Sequence, residues 1–458
     1  MQQHQDDYPI YPVLGMLGSL IGMGVAVYLL PNNFEYVNRL MAPAWAMAIG
    51  LLIAPAWSAL RSPAAAFRAE NIMSAGLVYW LLTEPMQGVE PIDTPTREAF
   101  RMSFIYIGMF ASCFWAASMF RPMKMVRVIH TAAQHNISPG PVMFTLVVCF
   151  ILGIYDYAHA CNFRIEVMLD ELTKQRFANA WSRGTYGDWS AFRQHMIYFG
   201  HLLPTLTMIL VREKGWSDVN SIIGLVLSMI FLIFLSSSGT RNEVGTVLGA
   251  AIVYWILGRP RLTYFNLIQA AIVFFGLLML MQFMLEFRRY GLKYVEYMEG
   301  QKYEYLHVDH NLTRLAQVVD IIPADHEYVG WGPVRFALFK PIPRVLWPGK
   351  PTDAGFSLPN YLGIKFTNLT MSVVGEGYMM HGWATVCAIG FVYGLFARYW
   401  SQLLTSQRTN CQIVIYSLGL FALFTGLRTM DALVIKSYAV LAWLGLYWVF
   451  LHRPKKLV

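Results

Sequence analysis

Four segments of this 458-residue sequence carry residues whose types and spacing suit chemistry on an anionic, sugar-bearing substrate. The first, Ser236-Ser237-Ser238-Gly239-Thr240-Arg241-Asn242-Glu243, lies between two apolar runs. Its small hydroxyl residues and glycine interrupt a helix, and an arginine stands where one run turns into the next. A guanidinium there offers phosphate a planar fork of donors, beside the free N–H groups of a helix N-terminus. An ionisable side chain held at membrane depth is costly to bury, which makes it a functional candidate by default. An arginine that merely ends a helix and reaches for the interface explains this segment equally well.

The second segment is Glu286-Phe287-Arg288-Arg289-Tyr290-Gly291, where another apolar run ends. Paired arginines beside a tyrosine suit a diphosphate or a sugar face. Interfacial anchoring accounts for them as readily. The third begins at Gly332-Pro333-Val334-Arg335 and continues from Pro341 to Pro351, with Arg344, Trp347 and Lys350 inside it. Pro341, Pro343, Pro348 and Pro351 fix φ and give a rigid, irregular stretch, a lid or groove wall rather than a lipid-facing helix. A passive cap is the plainer alternative. Just upstream, Leu312, Leu315, Val319 and Ile322 recur at helical spacing and predict an amphipathic helix around 303–322.

The fourth pairs Gly375-Glu376-Gly377-Tyr378 with Arg428 and Asp431. Glu376 or Asp431 would serve as general base if held within hydrogen-bond reach of an acceptor hydroxyl. Either would equally well pair with Arg241 or Arg428. For Asp431, three residues from Arg428 on a shared helical face, the pairing is the stronger expectation.

The elements that must position these residues follow from composition. Charged residues make up 14% of the chain, against about 25% in soluble domains. The AVILMFWYC set reaches 56%, aromatics 15%, and mean hydropathy is +0.43. These values exclude a soluble enzyme, a secreted disulfide module and a disordered chain, and predict an all-α polytopic membrane protein forming one integral domain over 1–458. A spanning helix needs about 20 mostly apolar residues. That criterion picks out about twelve segments, near 11–30, 40–60, 71–88, 101–120, 141–160, 194–211, 219–237, 243–258, 265–286, 374–398, 411–427 and 433–451. No internal repeat or low-complexity stretch is visible.

Basic residues set the orientation. With both termini cytoplasmic, the inner segments hold Arg61, Arg68, Arg121, Lys124, Arg127, Arg212, Lys214, Arg259, Arg261, Arg398, Arg408 and the Arg453–Lys456 tail, as the positive-inside rule asks. Two outer regions are basic as well. The first, 161–193, carries Arg164, Lys174, Arg176, Arg183 and Arg193, and places Ile165, Met168 and Leu172 at helical spacing, which predicts a helix lying on the membrane surface. The second is the long loop 288–370. Such basic surfaces on the outer side point to an anionic ligand, with a solvated face as the plainer reading.

Several absences narrow the field. The five cysteines form neither a CxxC nor a Cys/His cluster, so neither a disulfide framework nor a zinc site is expected. No P-loop or GxGxxG occurs, hence no nucleotide-driven step and no nucleic-acid partner. His307, His310 and His326 match no metal-ligand spacing and are expected at the surface. The N-terminus lacks the basic flank of a cleavable signal peptide.

In this order, SSSGTRNE around Arg241, Arg288-Arg289-Tyr290-Gly291, GPVRF…PIPRVLWPGKP and the late GLRTMD segment resemble the Wzy-type polysaccharide repeat-unit polymerases. That family includes the O-antigen and enterobacterial common antigen polymerases. The similarity is best over 235–435, and across the first 230 residues it rests on span arrangement and the basic loop near 161–193. It implies the multi-span glycosyltransferase and O-antigen ligase fold in a bacterial inner membrane, with the active site periplasmic. It implies transfer of a growing glycan from undecaprenyl diphosphate to the non-reducing end of the next lipid-linked unit, without a divalent metal or other cofactor. A chain-length regulator and a flippase are the implied protein partners. Essential periplasmic arginines carry over by motif to Arg241, Arg288 and Arg335, and less directly to Arg428. Glu376 matches no fixed family position and joins Arg241, Arg288 and Arg335 in the catalytic set on its own chemistry as a base. Arg193, Arg289, Tyr290, Arg344, Lys350, Arg428 and Asp431 complete the site as substrate contacts.

Three rivals remain at this point. A ligase-like enzyme would move finished glycan to another acceptor. An exporter would move substrate without forming a bond, but the sequence lacks the symmetric broken helices expected of one. A metal-dependent transferase using a polyprenyl monophosphate sugar would place acids in the first outer loop, where 31–39 offers only Glu35.

Overall fold

The computed structural model describes residues 10–32, 38–89, 95–174, 178–182, 190–237, 240–290, 305–351, 353–364, 369–404 and 408–451, without the side chains of 10, 182, 191 and 286–290. Among these residues the chain is all-helical, with no strand. Seven helices are long and apolar enough to cross a membrane: Tyr11–Leu29, Met41–Arg61, Arg97–Ala117, Pro139–Ala160, Val219–Ser237, Tyr264–Leu285 and Met430–Leu451. Much of their surface is exposed and apolar, as on Ile21, Leu60, Ile151, Ile272 and Phe275, which suits contact with lipid.

The remaining apolar segments are helical too, but short or broken. Arg241–Leu257 and Asn410–Gly426 each have 17 residues. The 71–88 segment divides into Ala69–Leu77, a π-helical turn Val78–Leu82 and Thr83–Met86. The 194–211 segment divides near His201, so that Leu203–Lys214 stands as a separate helix. The 374–398 segment breaks at Gly382, whose φ of +73° a residue with a side chain adopts only under strain. Ser372–His381 is thereby set apart from Trp383–Ser401.

Small residues let the helices approach closely. A Cβ on Gly50 would stand 2.4 Å from the Gly18 carbonyl oxygen and 2.7 Å from the Gly22 Cα, so these glycines fix the crossing of the first two helices.

The long loop folds down onto one end of the bundle, its loop end. The expected helix around 303–322 runs Asn311–Ile321. It starts late because His310 takes a left-handed φ of 53°. It is not a surface amphipath: Asn311, Thr313, Arg314 and Gln317 are buried along with Leu312 and Leu315. The Asp320 carboxylate anchors it by accepting from the Thr96 N–H (2.8 Å) and the Thr96 hydroxyl (2.5 Å), at the start of Arg97–Ala117. The Tyr378 hydroxyl donates to the Ile322 carbonyl (2.6 Å), and the N–H groups of Val329 and Gly330 donate to Met379 and Met380. Helix Gly332–Phe339 follows, with proline in its first turn, and then the irregular Pro341–Pro351 stretch.

In the 161–193 region the helix is Ile165–Leu172. Its inward anchors are Met168 and Glu171, and Ile165 points away at 71% exposure, so the predicted apolar face is only partly the face that packs.

Candidate active site

Arg241 is the first residue of its helix, delivered by the interruption that precedes it, and is only 5% exposed. Its guanidinium donates to the His307 carbonyl (2.6 Å) and to Asp309 Oδ1 (2.9 Å). Arg428, at the end of the Asn410–Gly426 helix, donates through Nε to the other carboxylate oxygen, Asp309 Oδ2 (2.8 Å). Two arginines from distant parts of the sequence therefore converge on one carboxylate. Burial pushes the Asp309 carboxyl up, but Arg428 and then Arg241 outweigh it and hold the group below the ordinary carboxylate range.

Asp309 is presented by a constrained turn. Asp309 and His310 both have positive φ, 134° and 53°, a conformation that L-residues hold only when their surroundings enforce it. Glu84 supplies the enforcement: its carboxylate accepts from the N–H groups of Val308 (2.8 Å), Asp309 (3.3 Å) and His310 (2.6 Å). Asn311 extends the clamp by donating to the Trp80 carbonyl (2.8 Å), inside the π-helical turn. Isolated π turns are frequent at functional sites.

A second group of charges lies beside Arg428. The Glu376 carboxylate accepts from the Met430 N–H (2.6 Å). Burial and the neighbouring Asp431 charge push its pKa from 4.5 up to about 8, against the opposing pull of Met430 N–H and Arg428. Asp431 accepts from the Thr429 hydroxyl (2.7 Å) and pairs with Lys340 (3.2 Å). Lys340 comes from the end of the Gly332–Phe339 helix and also lies over the Phe336 ring. Further into the bundle, Glu243 pairs with Lys436 and stands 3.7 Å from His201.

Of the sequence-derived candidates, Arg241, Arg428, Glu376 and Asp431 come together at the loop end. The expected Arg428–Asp431 pairing is not the one formed, because Asp309 takes Arg428 and Lys340 takes Asp431. Arg335 is exposed on its helix and has no side-chain partner among the described residues. Arg344 is half-buried in the proline-rich stretch. Lys350 braces that stretch by donating to the carbonyls of Lys340 (2.9 Å) and Ile342 (2.8 Å). Arg193 pairs with Asp156 (2.5 Å) on the Pro139–Ala160 helix. Arg288, Arg289 and Tyr290 form the last turn of Tyr264–Tyr290, with side chains outside the described residues.

Comparison with protein-family models, curated proteins and solved structures finds no match to this chain.

Sequence reasoning missed Asp309, Glu84, Lys340 and Lys436. It also placed His307 and His310 at the surface, whereas their side chains are 14% and 11% exposed. Two of the misses carried a signal. Glu84 and Lys436 are ionisable residues inside apolar runs, and such residues are functional candidates by position alone. Asp309 and Lys340 carried none, because only the folding-down of the loop brings them to the arginines.

Proposed function

We propose that the protein is a metal-independent membrane glycosyltransferase that polymerises polyprenyl-diphosphate-linked oligosaccharide repeat units. It would act on the periplasmic face of a bacterial inner membrane, passing the growing glycan to the non-reducing end of the next lipid-linked unit. The observation that carries this reading is the meeting of Arg241 and Arg428 on one anion, Asp309, beside the buried Glu376 carboxyl.

In this reading the donor diphosphate takes the arginine donors that Asp309 now occupies. As the anomeric C1–O bond breaks, negative charge develops on the departing diphosphate, and preorganised guanidinium groups in a partly desolvated site stabilise it. Glu376, in its ionised form, accepts the proton of the acceptor hydroxyl as that oxygen bonds to C1. Arg335, exposed on the loop, would offer a further cation to the lipid-linked anion, and Arg288 and Arg289 remain candidates on their sequence alone.

The test is made on cells lacking the gene. Polyprenyl-linked glycans are extracted and sized by mass spectrometry, with complementation by wild type and by Arg241→Ala. Single lipid-linked units should accumulate in the deletion and be chased into polymer only by wild type. Accumulation of long lipid-linked chains would replace the proposal with a ligase, and an unchanged glycan pool would return it to an exporter.

A further inference from the structure

Glu84, His307 and His310 stand next to the arginine pair but take no part in the reaction proposed above. His307 Nδ1 lies 2.7 Å from Glu84 Oε1, and His310 Nδ1 lies 3.6 Å from Glu84 Oε2. The two imidazole rings are 4.8 Å apart, and all three candidate ligand atoms fall within 4.8 Å of one another. Glu84 is 4% exposed, and both histidines are largely buried.

Ordinary hydrogen bonding explains only part of this arrangement. His307 Nδ1 lies 2.7 Å from the carboxylate, and His310, at 3.6 Å too far for a hydrogen bond, still turns its Nδ1 toward the same group. A tetrahedral ion with bonds of about 2.0–2.1 Å keeps its ligand atoms about 3.3 Å apart. The His310–Glu84 spacing of 3.6 Å is near that value, but the histidines face different oxygens of the carboxylate and the ligand atoms lie within 4.8 Å of one another, so the side chains draw together by up to about 1.5 Å to close the site. The three backbone N–H groups that clamp Glu84 match the outer support that ligating carboxylates receive. A cavity of about 10 Å³, bordered by Glu84, Pro85, His310 and Thr313, adjoins the cluster and has room for a single water.

The geometry points to a divalent transition-metal site formed by His307, His310 and Glu84, with water from the adjoining cavity as a fourth ligand. Two imidazoles and one carboxylate suit Zn²⁺ best at tetrahedral coordination. The ion's task is to hold the 307–310 turn, and with it Asp309, in its strained conformation between the arginines. That is a structural task, separate from glycosyl transfer.

The test is independent of any enzymatic activity. The full-length protein is purified in detergent without chelators, and its metal content is measured by inductively coupled plasma mass spectrometry. The chelator-treated protein is then titrated with Zn²⁺. About one equivalent per chain should bind, and His307→Ala and His310→Ala should each weaken binding at least about tenfold. His326→Ala, away from the cluster, should bind as wild type does. As a second measurement that needs no ligand variant to fold, Co²⁺ replaces Zn²⁺ in the wild-type chain, with a tetrahedral visible spectrum expected. Wild-type protein that takes up no stoichiometric Zn²⁺ and shows no such spectrum overturns the assignment, as does undiminished binding in a folded His307→Ala/His310→Ala variant.

Discussion

The pH profile of glycan transfer is the sharpest probe of Glu376. With a pKa of about 8, roughly one-tenth of this carboxyl is ionised at pH 7, half at pH 8 and nine-tenths at pH 9. If its ionised form is the base, turnover with purified lipid-linked repeat units rises about fivefold from pH 7 to 8 and about tenfold by pH 9. The neighbours give two further signs. Asp431 raises the pKa, so Asp431→Asn should move the midpoint down; Arg428 lowers it, so Arg428→Gln should move it up. Glu376→Gln should cut turnover by about 10²–10⁴ and leave the remainder without this titration. Stability runs the opposite way. The folded state keeps a proton that the unfolded chain releases near 4.5, so this group's contribution is fully present below about 4.5 and is lost as pH rises toward 8. A wild-type rate that is flat or falling between pH 6 and 9, or a Glu376→Gln variant above a tenth of wild-type turnover, would refute the reasoning.

Arg241→Lys keeps the charge but replaces a fork that reaches two acceptors with a single ammonium. Loss of one charge-assisted hydrogen bond of about 1.5–3 kcal/mol should slow polymerisation about 10- to 150-fold; a loss under threefold in the same in vitro assay would contradict it. Lys436→Met strands the Glu243 carboxylate beside His201 and should destabilise the protein by about 3–5 kcal/mol. Adding Glu243→Gln should recover most of that loss in thermal unfolding followed in detergent. Arg193→Ala removes a part-exposed pair with Asp156 and should change stability by no more than about 1 kcal/mol. It should leave polymer length on silver-stained ladders unaltered, and shortened polymer would place Arg193 in the substrate path.

The helices were legible because apolar runs of the right length leave few alternatives for a backbone that must satisfy its own hydrogen bonds in lipid. The breaks were not. Gly382 has the same composition in a straight helix as in a left-handed link, and a π turn at Val78–Leu82 leaves no mark on hydropathy. Arg241, Arg428, Glu376 and Asp431 were legible as candidates because charge is rare in so apolar a chain. Their partners were not, since pairing depends on where the loop lands. Proximity along the chain suggested Arg428 with Asp431, but the turn held by Glu84 puts Asp309 closer to the arginine than its own sequence neighbour.

Asp309 also explains how two arginines remain side by side in a half-buried site without a substrate. Like charges brought together in a low-dielectric environment repel, and a shared carboxylate offsets the repulsion while keeping both guanidinium groups aimed at one point. Under the proposed reading, an entering diphosphate would offer the same oxygens with more charge and would exchange for Asp309 without the arginines having to search for a new geometry. The exchange costs the strain held in the 307–310 turn nothing further, because Glu84 grips that turn through its backbone N–H groups and not through the Asp309 side chain. The loop thus separates two tasks that a single residue would have to combine: Glu84 fixes where the carboxylate stands, and Asp309 remains free to give up its place.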